Sequence, residues 1–123
     1  MRVLVLADDL IWSTRLIAQV QAAGGDAAPV RTLGALSQAL PAADAVIVDL
    51  TARAYDGIVA VRKAADAGRR VLAVGQHDNA ELRRRALAAG AERVHPYRKL
   101  FEDGPKMLAA WLAEVPGRSE AHR

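Results

Sequence analysis

At 123 residues, with 52% hydrophobic and 25% charged content, the chain is the size of one domain with a single core. It holds no cysteine, which excludes disulfides, thiolate metal sites and cysteine nucleophiles. The formal charge of +3 is small and partly carried by Arg118 and Arg123 at the end of the chain, so it does not describe a nucleic-acid-binding face. No apolar run reaches the roughly 18 residues of a membrane span. The first residues lack the layout of a signal peptide, because Asp8 and Asp9 interrupt them. A cytoplasmic protein with neither membrane nor nucleic acid as partner is the expectation.

Residues 2–7 (Arg2-Val3-Leu4-Val5-Leu6-Ala7) are an apolar strand ended by Asp8 and Asp9. Ile11, Leu16, Ile17 and Val20 then recur at helical spacing, and Gly24-Gly25 closes that helix. Residues 27–31 form a short second strand in which Pro29 implies an edge position. Thr32 caps a helix to about Leu40, and Pro41 marks its exit. Residues 45–50 hold three consecutive β-branched residues, Val46-Ile47-Val48, in a run that reads as a strand buried on both faces. A third helix covers about 57–67 and a fourth strand 70–75. Asp78 and Glu81 have capping-box spacing for a helix that ends at Ala89 before Gly90. Residues 92–95 are a fifth strand, 96–104 a loop, and Pro105 starts a helix carrying Met107, Leu108, Trp111 and Leu112 on one face. Pro116-Gly117 ends order, so the domain is assigned to 1–115 and 116–123 is a disordered tail.

Five β-α repeats predict an α/β fold: a parallel five-stranded sheet, flavodoxin-like and doubly wound, with helices on both faces. In the order 2-1-3-4-5 the first and third strands are neighbours, and the crevice beyond their carboxyl ends receives Asp8, Asp9 and Asp49. Three carboxylates in one crevice repel each other unless a cation joins them, and a hard divalent ion with oxygen ligands, Mg²⁺ above all, answers that need. Such an ion favours binding or transfer of a phosphoryl group.

With these residues in view, the chain resembles the receiver domain of two-component response regulators over roughly residues 2–112. The resemblance rests on Leu4-Val5-Leu6-Ala7-Asp8-Asp9, on Val46-Ile47-Val48-Asp49, on Asp56-Gly57 with Gly57 eight positions after Asp49, and on Ala88-Ala89-Gly90-Ala91. It implies that Asp49 is the phosphoacceptor for a histidine kinase or a small phosphodonor. It also implies that Asp9 ligates Mg²⁺, that Asp8 assists, and that the Thr51 carbonyl completes the protein's share. Four positions depart from the family pattern. Gly75, followed by Gln76, stands where the family has a threonine or serine hydroxyl. Tyr97 stands in place of its lysine, Val94 in place of its aromatic switch residue, and Arg53 in place of the loop proline. Arg98 and Lys99 are candidates to supply the missing charge by reaching back to Asp49.

The remaining polar residues have plainer readings. His77 and His95 are a solvated loop residue and a satisfied strand-end residue, His122 lies in the tail, and their spacing suits no metal. Arg83-Arg84-Arg85 fans around a helix at about 100° per residue and is a solvated face before it is a docking surface. For Asp8 the structural alternative is a cap on the first helix. Trp111 is assigned to the core, and Trp12 to the mouth of the crevice, where it could contact a partner.

The function expected is a non-enzymatic, single-domain receiver in phosphorelay signalling, partnered by a histidine kinase or another signalling protein. The alternative is a phosphorylation-independent pseudo-receiver acting as a protein-interaction or dimerisation module, with a homodimer as one form. A flavodoxin-like enzyme or nucleotide binder is disfavoured, because Asp8-Asp9-Leu10 stands where a glycine-rich phosphate loop would be needed.

Overall fold

The computed structural model describes residues 1–76 and 79–114. Strands β1 (Arg2–Leu6), β2 (Asp26–Val30), β3 (Ala45–Asp49), β4 (Arg70–Gly75) and β5 (Arg93–Pro96) form one sheet. The helices between and after them are α1 (Leu10–Ala22), α2 (Leu33–Ala39), α3 (Gly57–Asp66), α4 (Ala80–Ala89) and α5 (Tyr97–Ala113), and a 3₁₀ turn at Leu40–Ala42 follows α2. The sheet order is β2-β1-β3-β4-β5 and every pairing is parallel, as the alternation of strands and helices predicts. Pro29, which has no N–H to give a second neighbour, sits on the edge strand β2. Among the described residues no helix is long and apolar enough to cross a membrane.

Every residue of β3 and β4 is buried, because helices cover both faces of the sheet. Alternate side chains divide between two cores. Leu4, Leu6, Val46 and Val48 pack with Leu36, Val61 and Ala86 from α2, α3 and α4. Val3, Val5, Ile47 and Leu72 pack with Leu16, Val20, Leu108 and Trp111 from α1 and α5. Trp111 is therefore core, 2% exposed, as its spacing with Leu108 predicts. Gly90 ends α4 with φ 120, a conformation side chains resist, and any Cβ there would collide with Ala65 of α3.

The cap expected on Thr32 is present, and α3 has one on Asp56. Thr32 accepts from the Ala35 amide at 3.1 Å, and Asp56 accepts from the amides of Ile58 and Val59 at the start of α3. The capping box expected on Asp78 falls on a residue outside those described, and the cap of α4 is Asn79, which accepts from the Leu82 amide at 3.0 Å. The disordered tail expected at 116–123 likewise lies outside the described residues.

The largest departure from expectation is at α5. The predicted loop at 96–104 is helical from Tyr97 onward, and Pro105 lies inside the helix instead of opening it. Residues 97–100 contain neither Gly nor Pro, and a helical turn there buries Leu100 to 2% exposure. The Gly104-Pro105 pair then kinks the helix at Asp103 (φ −149, ψ 20) without ending it, since proline is tolerated in the first turn after a break.

Candidate functional site

β1 and β3 are adjacent, so their carboxyl ends open into one crevice. A hollow of about 340 Å³ lies there, lined by Asp8, Asp9, Trp12, Asp49, Thr51 and Arg53. All three strand-end acids line it, as the adjacency of β1 and β3 leads one to expect.

Asp49, the last residue of β3, is 1% exposed. Its Oδ1 accepts from the Thr51 amide at 2.9 Å, from the Thr51 hydroxyl at 2.8 Å and from the Tyr97 hydroxyl. Its Oδ2 accepts no hydrogen bond among the described residues. One oxygen is thus held by three neutral donors, each worth about 1.5–3 kcal/mol to a charged acceptor, and the other is left for a ligand. Among the described residues Asp49 makes no ion pair.

The two acids after β1 do different work. The Oδ2 of Asp8 accepts from the backbone amides of Arg53 and Ala54, each at 2.9 Å, and so anchors the loop that follows β3. The Ala54 amide, then the Arg53 amide and the Arg31 charge, outweigh partial burial and hold the Asp8 carboxyl below its ordinary range. Asp9, one residue on, caps α1 by accepting from the amides of Ile11 and Trp12 at 2.8 and 3.1 Å. The cap weighed for Asp8 therefore belongs to its neighbour.

Two tyrosines complete the site. Tyr55 is buried, and its hydroxyl lies 2.9 Å from the Leu6 carbonyl and 2.8 Å from that of Asp49, bridging the ends of β1 and β3. Burial, followed by the charges of Asp49 and Asp8, pushes its phenol pKa far up, so it stays protonated. Tyr97, standing where the resemblance expects a lysine, brings a neutral hydroxyl to Asp49 instead of an ammonium. Burial, then the hydrogen bond to Asp49, pushes its pKa up as well. Trp12 stacks on the Tyr97 ring, with centroids 3.8 Å apart. Neither tyrosine contact was foreseen from sequence. The available signal was the presence of two aromatic residues in otherwise polar segments flanking the acids.

The other residues proposed to touch a phosphoryl group are not gathered at Asp49. Gly75 and Gln76 border a separate cavity of about 90 Å³ between α4 and β5, together with Arg83 and His95. A Cβ on Gly75 would meet only Leu50, at 3.6 and 3.7 Å, which is ordinary contact. Arg98 and Lys99 are exposed on the first turn of α5; Arg98 pairs with Glu102 at 3.7 Å, and neither bonds to Asp49. Arg84 pairs with Glu81 on the exposed face of α4, and Arg83 donates to the Val94 carbonyl at 3.3 Å.

For a divalent cation the donor chemistry is suitable. Asp8, Asp9 and Asp49 border one hollow, and each has a carboxylate oxygen with no hydrogen-bond donor among the described residues. The spacing is not suitable as it stands. Among the described residues no group of three or more His, Cys, Asp or Glu side chains is close enough to hold a metal ion.

No family model matches the sequence, and no curated protein matches it. Solved structures do match. The receiver domain of a DNA-binding response regulator from Colwellia psychrerythraea superposes with a TM-score of 0.78 at 18% identity, over 93% of this chain and 99% of that one. The beryllofluoride-activated DrrB receiver domain gives 0.74 at 18% identity, over 90% and 92%. A Burkholderia pseudomallei response regulator, solved with a phosphorylated aspartic acid and a calcium ion, gives 0.75 at 17% identity, over 98% and 70%. The chain has the fold of response-regulator receiver domains.

Proposed function

We propose that this chain works as a receiver module in phosphorelay signalling and that Asp49 is its phosphoacceptor. The observation carrying this reading is the free Oδ2 of a buried carboxylate at the end of β3, bordering a hollow shared with Asp8 and Asp9. Oδ2 attacks the phosphorus of the donor. An O–P bond forms as the P–N bond of a phosphohistidine, or the P–O bond of acetyl phosphate, breaks, and the leaving group keeps the electron pair. The partners are accordingly a histidine kinase or a small phosphodonor, and a protein that reads the modified domain. The chain accepts and relays a group and is not itself an enzyme.

Mg²⁺ belongs to the proposal through Asp8, Asp9, Asp49 and the Thr51 carbonyl, where its charge would offset the repulsion between carboxylates and an incoming phosphoryl group. Asp8 and Asp9 are already engaged with backbone amides, so weak binding is expected.

Incubation with millimolar acetyl phosphate and Mg²⁺ should add the mass of one phosphoryl group, and Asp49→Asn should abolish the gain. Absence of any adduct, together with undiminished partner binding by Asp49→Asn, would instead identify a phosphorylation-independent interaction module.

A further inference from the structure

The first turn of α5 is held from outside its own helix. Its link to the rest of α5 is the non-helical Asp103, and Pro105 has no N–H to return to the Phe101 carbonyl. Gln19 of α1 supports the same turn from outside: its Nε2 donates to the neighbouring Leu100 carbonyl at 2.7 Å. Its Oε1, buried without a partner, packs so closely on Gly104 that a Cβ there would strike it. On the other flank Trp12 stacks on Tyr97, Phe101 lies 5.3 Å behind Trp12, and the Arg15 guanidinium stands 5.8 and 5.0 Å from the Trp12 and Phe101 rings. These contacts hold the first turn of α5, the Trp12 stack bears on the Tyr97 ring itself, and that ring directs its hydroxyl onto Asp49 Oδ1.

We infer that Tyr97, set by its stack on Trp12, is a positioning residue that restrains Asp49 through Oδ1, and that transfer of a phosphoryl group to Oδ2 releases this hydroxyl. The inference rests on the reading of Asp49 as phosphoacceptor. Its physical basis is a hydrogen bond stronger to the resting carboxylate than to the carbonyl-like Oδ1 left once Oδ2 carries the phosphoryl group. Such a bond stabilises the ground state more than the transition state and therefore slows the step. The stack, with centroids at 3.8 Å, prevents the hydroxyl from simply following the phosphoryl oxygens. Trp12 reports the event directly, since release of Tyr97 disturbs the stack.

The experiment compares wild type, Tyr97→Phe, Trp12→Ala and Asp49→Asn, measuring the rate of adduct formation from acetyl phosphate by intact mass, with and without Mg²⁺. Tyr97→Phe keeps the ring and its stack, which an unchanged near-UV dichroism of Trp12 verifies, and should form adduct about tenfold faster. Trp12→Ala should also be faster than wild type. In the wild type, the fluorescence of Trp12 should change in step with the adduct. A Phe variant that reacts no faster, or more slowly, overturns the inference while leaving Asp49 as acceptor. If no protein forms an adduct, the acceptor reading fails and the inference falls with it.

Discussion

Asp49 and Arg70 stand at opposite ends of the neighbouring strands β3 and β4, both nearly sealed from water at 1% and 5% exposure. The protein surrounds them in opposite ways. The Arg70 fork meets Glu92 through Nε at 3.0 Å and Nη2 at 2.8 Å, while Nη1 donates to the carbonyls of Trp111 and Glu114, each at 2.7 Å. Its guanidinium carbon also lies 4.7 Å from the Trp111 ring centroid. Asp49 has neutral donors only, and all on one oxygen. A buried charge with its counter-ion and a hydrogen bond on each nitrogen is a fastening between β4, β5 and the end of α5. A buried charge without a counter-ion fastens nothing, and suits the acceptor role proposed for it.

The strongest way to break this contrast is Arg70→Ala. It removes the paired guanidinium that packs on Trp111 and bridges Glu92 to the end of α5, and should cost about 2–3 kcal/mol in urea denaturation. A loss below about 1 kcal/mol would mean that Arg70 is no fastening. At the other end of the sheet, Asp49→Asn removes the uncompensated charge while keeping an oxygen for the Thr51 and Tyr97 donors. The same denaturation should show stability unchanged or raised by about 1 kcal/mol. A marked loss would show that the carboxylate is structural, like Arg70.

The smallest effect belongs to His95, half-buried beside the small cavity. Burial, followed by the charges of Lys99, Arg93 and Arg83, holds its imidazole below the ordinary 6.5. The unfolded chain takes up that proton first as pH falls through 6.5, so stability declines from neutral pH downward. His95→Gln should flatten the fall in melting temperature between about pH 7.5 and pH 5.5, by less than about 1 kcal/mol. An identical slope in the variant would remove His95 from the account.

The sheet was legible because its signals are local. Val46-Ile47-Val48 can hardly be anything but a buried strand, and Pro29 can hardly sit inside a sheet. The meeting of Asp8, Asp9 and Asp49 followed once the strand order was inferred. The role of each acid did not follow, since two adjacent aspartates compete equally for one helix cap until the turn geometry chooses Asp9. Tyr97 was hidden for a different reason. Its aim depends on α5 starting right after Pro96, and this in turn depends on Gln19, 81 residues away from Leu100 in the chain, supporting the turn before the kink. Arg70 was equally opaque, because an arginine opening a strand looks solvent-bound until Glu92 and the end of α5 close over it.

Gly75 carries one more implication. The space beside it admits a Cβ at ordinary contact with Leu50, so crowding at that atom does not demand a glycine. Packing and the proposed role are therefore separable at this position: the scaffold accepts a Cβ there, and on the receiver reading a substitution would be felt in signalling before it was felt in folding.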